Sequence, residues 1–375
     1  MPWSRAAGDA AEGARLVERF ECRRCHLDLE GPQIAFEKSC SGCHQDILSG
    51  KVSADAAALN EWQQHVRHFV RLPPLRDAKT KLRNGWLQRF LLEPHVVRPA
   101  LEESMPRLAL TAAQARDLAA YLAPHDAAPS NAALVGDAAH GRQLLDERGC
   151  GTCHRINGAA LKATPLAAPL DAHRMQWAMR LAPDLAQARE RLLPGYVEKW
   201  LRRPSAQNQD ALMPDIPLSE PEIVDIAAYF ESETPRRAEP RAFVRLPLLT
   251  RRVTFSELKQ RVLRKTCWHC HSDPDYAIGD GGPGNSGGFG FSGRRINLAE
   301  LEGVLSGYRD DQGETRSLLS AESPSNESRL VQALLARHAE ERGAPTGPVR
   351  GMPMGLPALP SEEIQLVESW VAQQR

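Results

Sequence analysis

The stretch CRRCHLDLEGPQIAFEKSCSGCH, residues 22–44, contains two Cys-x-x-Cys-His units within twenty-three residues. The same unit returns as CGTCH from Cys150 and as CWHCH from Cys267. The chain has 8 cysteines in 375 residues, and the four units contain all of them. Such cysteines could bind a metal ion, form disulfides or attach a prosthetic group covalently.

The histidine that follows every second cysteine separates these possibilities. A zinc site could use the first two pairs, because C-x2-C-x14-C-x2-C is close to a zinc-ribbon spacing. That site would leave the pairs at Cys150 and Cys267 half-ligated. Disulfides fit the even count, but Cys-x-x-Cys is more often a redox or ligand spacing. Four such histidines by chance have odds of roughly one in a million.

A c-type haem requires this order of residues. Two thiols add to the porphyrin vinyl groups, and the imidazole of the next residue binds the iron. The sequence therefore predicts four covalently attached haem c groups and no catalytic residues. We number the attachment sites haem units 1–4, with the cysteines and proximal histidines Cys22, Cys25 and His26; Cys40, Cys43 and His44; Cys150, Cys153 and His154; and Cys267, Cys270 and His271.

Composition excludes other classes of protein. Basic and acidic residues balance at 47 each, which gives no electrostatic footprint for nucleic acid. The sequence contains no run of 18 apolar residues, so it predicts no membrane-spanning helix. The first sixteen residues lack the apolar region of a signal peptide. Because c-type haem is attached outside the cytoplasm, we expect a periplasmic or other extracytoplasmic protein whose signal has been removed.

Internal repeats indicate the domain organisation. Residues 9–26, DAAEGARLVERFECRRCH, align without gaps on residues 137–154, DAAHGRQLLDERGCGTCH. GWLQRFLLEP from Gly85 matches GYVEKWLRRP from Gly195. Each is followed by a Met-Pro step and then by a capping box, which opens a C-terminal helix. The boxes pair Thr111 with Gln114 and Ser219 with Glu222.

A third segment has the same order of first helix, haem unit, Met-Pro loop and last helix, but the residues between the haem unit and the Met-Pro loop differ. TFSELKQRVLRKTCWHCH predicts a helix, capped by Ser256, that enters haem unit 4. A Met-Pro loop and a last helix follow in GMPMGLPALPSEEIQLVESWV. Between them, Gly282, Gly284 and Gly287 match G-x-G-x-x-G, but no strand precedes them. We interpret this glycine-rich stretch as a flexible surface loop beside the haem rather than a nucleotide site.

The repeats predict an all-α fold of three tandem domains, residues 1–126, 136–232 and 250–375, the last with the glycine-rich loop. Between His26 and Gly85 there are 18 more residues than between His154 and Gly195. That excess accommodates haem unit 2. We therefore expect a second haem inserted into the first domain, with one haem in each of the others.

The order of helix, Cys-x-x-Cys-His, long loop, Met-Pro and capped last helix resembles the class I cytochrome c fold, repeated in tandem. The resemblance covers nearly the whole chain and is most specific in the first two repeats. It implies an all-α fold in which each iron is bound by one histidine and one methionine. The implied pairs are His26 with Met105, His154 with Met213, and His271 with Met352 or Met354. Met352 is preferred because it keeps the Met-Pro step.

Haem unit 2 needs another kind of ligand, because no methionine lies between His44 and Met105. EWQQHVRHFVRLPPL offers His65 and His68 on one helical face. We prefer His68, because it adjoins the resumed common fold. The remaining methionines and histidines receive structural interpretations. Met175 and Met179 are expected to fill a core, His269 to point away from iron, and His95, His125, His140, His173 and His338 to lie on the surface or in loops.

Saturated axial positions suit outer-sphere electron transfer, because they leave the iron no site for a substrate. We therefore expect an electron carrier between a redox donor and an acceptor, with a membrane-bound complex as one possible partner. One alternative is a peroxidase-like enzyme with an open iron site in the third domain. Another is a fixed electron-conducting subunit of a respiratory, photosynthetic or dehydrogenase complex. High-spin iron would distinguish an enzyme from a carrier.

Overall fold

The computed structural model describes eleven stretches of the chain, and His68, His125 and Gly282 lie outside them. They are residues 8–67, 72–101, 105–124, 136–156, 159–167, 170–209, 211–232, 243–273, 284–322, 326–342 and 349–374. Residues 8–124, 136–232 and 243–374 are called the first, second and third segments below.

The described residues are mainly helical, as the sequence predicts. The first segment contains α1 Ala10–Arg19, α2 Cys40–Leu48, α3 Ala56–His65, α4 Ala78–Lys81, α5 Asn84–Leu92 and α6 Ala112–Leu122. The second contains α7 Ala138–Glu147, the hairpin β1 Arg155–Ile156 and β2 Ala159–Ala160, α8 Ala172–Leu181, α9 Ala188–Arg191, α10 Tyr196–Arg202, α11 Pro204–Gln207 and α12 Glu220–Ser232.

The third segment begins with α13 Phe255–Leu258, which continues as a π-helix over Lys259–Cys267. Three antiparallel hairpins follow, with α14 Leu301–Leu305 between the first two. The hairpins are β3 Gly287–Gly288 with β4 Phe291–Ser292, β5 Tyr308–Arg309 with β6 Thr315–Arg316, and β7 Ala321–Glu322 with β8 Glu327–Ser328. The segment ends with α15 Arg329–Glu341 and α16 Ser361–Ala372. No helix in the described stretches has both the length and the apolar character needed to cross a membrane.

Helix caps fix where these helices begin. The Asp9 carboxylate accepts backbone N–H groups at the start of α1, and Asp137 does the same for α7. Thr111 and Gln114 form the predicted capping box of α6. At α13 the cap is Thr254, whose side chain accepts from the Glu257 N–H, so the prediction of Ser256 as the cap is wrong. A threonine two residues earlier in the sequence offers the same hydroxyl.

Each of the first two segments is built on a close crossing of its first and last helices. A Cβ added at Gly13 of α1 would lie 2.1 Å from the Asp117 carbonyl oxygen of α6. At Gly141 of α7 the corresponding distance, to the Asp225 carbonyl oxygen of α12, is 1.9 Å. These values are far below van der Waals contact, so only glycine allows the helices to approach this closely.

Three hydrophobic clusters fill the spaces between helices. The first includes Leu16, Phe20, Trp86 and Leu118, and the second Leu144, Leu145, Ile223 and Ile226. The third includes Leu258, Val262, Leu334, Ile364 and Trp370. Of the two methionines that we expected to fill a core, Met175 is half-buried, but Met179 is 48% exposed. The prediction for Met179 is therefore wrong, because the helix face that it occupies is turned to solvent.

The first and second segments meet through equivalent residues. Leu82 forms an antiparallel bridge with Leu192, and each lies three residues before the glycine that opens the matching helix. The Arg83 N–H donates to the Arg191 carbonyl at 2.8 Å, and the Leu193 N–H donates to the Lys81 carbonyl at 2.9 Å. Each bond is the counterpart of the other, so the two repeats are related locally by a pseudo-two-fold axis.

The glycine-rich stretch packs against the first segment. Phe289 lies in the first cluster, and its N–H donates to a Glu21 carboxylate oxygen at 3.0 Å. Gly290 has a φ of 78° and lies so close to Phe20 that an added Cβ would be 2.4 Å from its ring. The interpretation of this stretch as a surface loop is therefore wrong for residues 284–293. The difference arises because these residues pack against Phe20 and Glu21, which are far away in the sequence.

Candidate haem-binding sites

Haem units 1 and 3 form the same short structure at the ends of α1 and α7. Each first cysteine opens a 3₁₀ turn, Cys22–Arg24 and Cys150–Thr152, after a residue in the left-handed region. Glu21, with φ 50°, and Gly149, with φ 77°, are those residues. In both turns the carbonyl of the first cysteine accepts the N–H of the proximal histidine at 2.9 Å. The cysteine and the histidine are thus held one turn apart.

The proximal histidines of these units are oriented by proline carbonyls. The Nδ1 atom of His26 lies 3.2 Å from the Pro73 carbonyl oxygen, and that of His154 lies 2.9 Å from the Pro183 carbonyl oxygen. Because a carbonyl only accepts, Nδ1 carries the proton and Nε2 is left as the metal-binding atom. Burial also lowers the pKa of both histidines, which favours the neutral imidazole that binds iron.

The sequence prediction did not include Pro73 and Pro183, although the repeat contained the signal. Each proline lies 12 residues before the matching glycine, Gly85 or Gly195. Extending the repeat alignment upstream from those glycines would therefore have paired them.

Haem unit 4 is built differently. The carbonyl of Cys267 accepts the N–H of His271 at 3.0 Å, and the His271 carbonyl accepts the Leu298 N–H at 2.7 Å. Burial lowers the pKa of His271 to about 4, so its imidazole is neutral at physiological pH. An added Cβ at Gly284 would lie 2.0 Å from Cε1 of that ring. The glycine-rich stretch thus lies against the His271 ring at Gly284.

All eight cysteines lie in the described residues, and none is in a disulfide. Burial raises the pKa of Cys22 to about 12, that of Cys150 to about 11 and that of Cys267 to about 12. Each of these three thiols is therefore protonated at physiological pH. Among the described residues, no three or more His, Cys, Asp or Glu side chains are grouped as ligands of a metal ion.

Haem units 1 and 2 are adjacent. A side-chain hydrogen bond with Cys40 is the main cause that raises the pKa of Cys25. The Ser41 hydroxyl also donates to the Cys25 carbonyl at 2.7 Å. Haem unit 2 itself begins helix α2, with Ser39 as its N-cap. The inserted unit is therefore packed directly on the attachment residues of haem unit 1.

The proposed axial methionines lie beside the hydrophobic clusters. Met105 packs against the first cluster and Met213 against the second. The indole Nε1–H of Trp200 donates to the Met213 sulfur at 3.0 Å. In the first repeat, the position equivalent to Trp200 is occupied by Phe90. Phenylalanine has no N–H group, so Met105 receives no such hydrogen bond from that position.

Met352 and Met354 have different neighbours. Met354 packs against the first cluster, which also includes Phe289 of the third segment. The Met352 N–H donates to the Ala333 carbonyl at 2.9 Å, within the third segment. The sequence-based preference for Met352 stays a prediction.

Two cations at the contact between the first two segments, one buried and one half-buried, fit the propionates of a haem. Arg191 is only 7% exposed, and its Nε has no hydrogen-bond partner among the described residues. Burial and the neighbouring charge of Arg98 lower the pKa of Arg191 to about 10, and burial and Arg191 lower that of Lys81 to about 8. Positive charge concentrated in this way is stabilised by an anion. The two propionates of each haem are anions of this kind.

His95 lies in the loop after α5, as predicted, and its Nε2 atom is 2.8 Å from Oε1 of Gln187 in the second segment. His338 instead lies half-buried in α15, where its ring stacks on Phe243 at 4.0 Å, so the prediction for it is wrong. His140 and His173 are exposed, as predicted. His65 is exposed as well, and its Nε2 lies 3.9 Å from a Glu61 carboxylate oxygen.

The family model described as Cytochrome c matches the chain twice, over residues 29–125 and 138–233. The first match begins three residues after His26 and includes haem unit 2, while the second includes haem unit 3. No curated protein and no solved structure matches the chain.

Proposed function

Because the chain belongs to the cytochrome c family, we propose that it is a tetrahaem c-type cytochrome that transfers electrons between a redox donor and an acceptor outside the cytoplasm. Cytochrome c domains bind haem c covalently and transfer electrons through it, typically without catalysis. They are usually extracytoplasmic. The haem supplies a one-electron Fe(III)/Fe(II) couple, and the chain supplies its ligands and surroundings.

The matched anchoring of His26 and His154 is the observation that carries this proposal. In both repeats a proline carbonyl holds Nδ1 and leaves Nε2 for the iron. In an enzyme with an open iron site, the position opposite the histidine has no strong protein ligand. Each of these repeats instead has a methionine beside its hydrophobic cluster that could fill this position. A thioether ligand favours Fe(II) and raises the reduction potential, which suits a carrier.

The eight cysteines attach the haems, and His26, His44, His154 and His271 are the proposed proximal ligands. Met105, Met213 and Met352 are the proposed opposite ligands of haem units 1, 3 and 4. The three hydrophobic clusters support the proposed domains 1–126, 136–232 and 250–375. The donor and acceptor are proposed to be redox proteins, which could belong to a membrane-bound complex.

The test begins with counting haems in the purified protein. Haem stain should survive denaturing electrophoresis, and the pyridine haemochrome should give four haems per chain. The variants Met105→Ala and Met213→Ala should each weaken the charge-transfer absorption at the red end of the oxidised spectrum and open one haem to carbon monoxide. Two haems per chain, or variants with the wild-type spectrum, would contradict the proposal.

A further inference from the structure

His269 has no role in the sites described so far. It lies in the spacer of haem unit 4, between Cys267 and Cys270, and its side chain is exposed. The structure brings its ring beside His44, the proximal histidine of haem unit 2, more than two hundred residues away in the chain. The ring centroids are 6.3 Å apart, and the ring planes are inclined by 43°. The expectation that His269 points away from iron therefore holds at most for its own haem unit.

This separation agrees with the geometry of two imidazoles on opposite sides of one iron. An imidazole nitrogen binds a first-row metal ion at about 2.0 Å. A five-membered ring with bonds of about 1.35 Å places each ring atom about 1.15 Å from the centroid. Two imidazoles bound in line to one iron therefore have centroids about 6.3 Å apart. The observed distance is the same.

Haem unit 4 uses His271, and not His269, as its own proximal histidine in the proposed assignment. The order of the motif assigns its own proximal position to His271. The His271 ring is buried against Gly284, on the glycine-rich stretch, whereas the His269 ring lies near His44. The two histidines of one unit are thus directed to different neighbours.

A second contact holds the same two regions together. Lys265, in the π-helix that leads into haem unit 4, forms an ion pair with Glu61 of α3 at 3.2 Å. Helix α3 is fastened to haem unit 2, because the Gln63 side chain donates to the Ile47 carbonyl of α2 at 3.0 Å. The approach of His269 to His44 is therefore part of an interface and not an isolated side-chain orientation.

We propose that His269 is the sixth ligand of the haem iron at Cys40 and Cys43, opposite His44. The proposal rests on the proposed function, since it requires a haem at haem unit 2. It replaces His65 and His68 in this role. The described contacts of His65 are with the charges of Glu61, Lys265 and Arg67. The third segment then completes a haem site of the first, and haem unit 2 touches both haem unit 1, through Cys25 and Cys40, and haem unit 4.

The test uses the full-length protein with its haems. His269→Ala should retain four covalent haems, while one of the four changes from low-spin to high-spin iron in the electron paramagnetic resonance spectrum and binds carbon monoxide. In His269→Met a thioether replaces an imidazole, so one haem should titrate at a higher potential than in the wild type. His173→Ala, which changes an exposed histidine on α8, is the matched control and should leave all four haems as they are.

The outcomes separate the ligand assignment from the proposed function. Four low-spin haems in His269→Ala, together with loss of one low-spin haem in His68→Ala or His65→Ala, would overturn the role of His269 and leave the tetrahaem assignment intact. Peptide mapping that finds no haem on Cys40 and Cys43 would overturn both. Far-UV circular dichroism of each variant shows whether the helices persist.

Discussion

Substitution of Gly141 by alanine tests the helix crossing on which the second segment is built. Taken alone, helix propensity predicts that Gly→Ala inside α7 stabilises the protein by about 1 kcal/mol. The structure predicts the opposite, because the new methyl carbon would lie 1.9 Å from the Asp225 carbonyl oxygen and 2.4 Å from its carbonyl carbon. Both neighbours are backbone atoms, so no side-chain rotation relieves the clash.

The expected magnitude follows from the separation that the helices would need. A carbon–oxygen contact is comfortable at about 3.3 Å, so α7 and α12 would have to part by about 1.4 Å. Leu144, Leu145, Ile223 and Ile226 fill the space around this crossing. Overpacking in a core costs about 1–3 kcal/mol, and the upper end less the gain in helix propensity gives a net loss of about 2 kcal/mol.

Urea unfolding of the holoprotein, followed by far-UV circular dichroism, measures this loss. With a slope of about 2 kcal/mol per molar urea, the midpoint of the affected transition should fall by about 1 M. Gln143→Ala on the exposed side of α7 is the control and should change the stability by less than about 0.5 kcal/mol. A Gly141→Ala protein as stable as the wild type, or more stable, would refute the reasoning.

Three further substitutions probe other contacts. Trp200→Phe removes the N–H bond to the Met213 sulfur. Because that bond withdraws electron density from the proposed ligand, the potential of the haem at Cys150 should fall in a redox titration, while that of the haem at Cys22 should be unchanged. Thr111→Ala removes the cap of α6 and should lower the free energy of unfolding by about 1 kcal/mol in urea, an effect that a conservative Thr111→Ser should largely restore. The bond to Asp225 raises the pKa of His140. The contribution of this pair to stability is therefore complete below the ordinary histidine pKa and is lost as the pH rises through the raised value. His140→Gln should remove that part of the pH dependence of the urea midpoint, and an unchanged profile would show that the pair contributes nothing.

The sequence predicts local features of this fold well, because they depend on residues close together in the chain. Helix caps at Asp9 and Thr111 follow from side chains within one turn of the groups that they bind. Each haem unit likewise contains its own cysteines and the histidine that we propose as its proximal ligand. Comparison of the repeats adds Met105 and Met213 as proposed ligands, since a residue that recurs at a matching place is less easily explained as core filling.

Contacts between segments could not be predicted in the same way. The sequence gives no pattern that pairs His269 with His44 or Phe289 with the first cluster, because these contacts depend on how separate segments pack. The glycine-rich stretch has a composition typical of a loop, yet residues 284–293 lie against Phe20 and Glu21. Met179 shows the reverse error, since this apolar residue at helical spacing is 48% exposed.

The antiparallel bridge between Leu82 and Leu192 has a consequence for how the two halves stay together. A contact in which equivalent residues pair with one another is isologous, the type found in two-fold homodimers. Here both partners belong to one polypeptide, so their association is an intramolecular equilibrium with a high effective concentration. Dilution, which separates a homodimer, does not separate these halves. The half-buried Lys81 and the buried Arg191 at that contact therefore keep the same surroundings at any protein concentration.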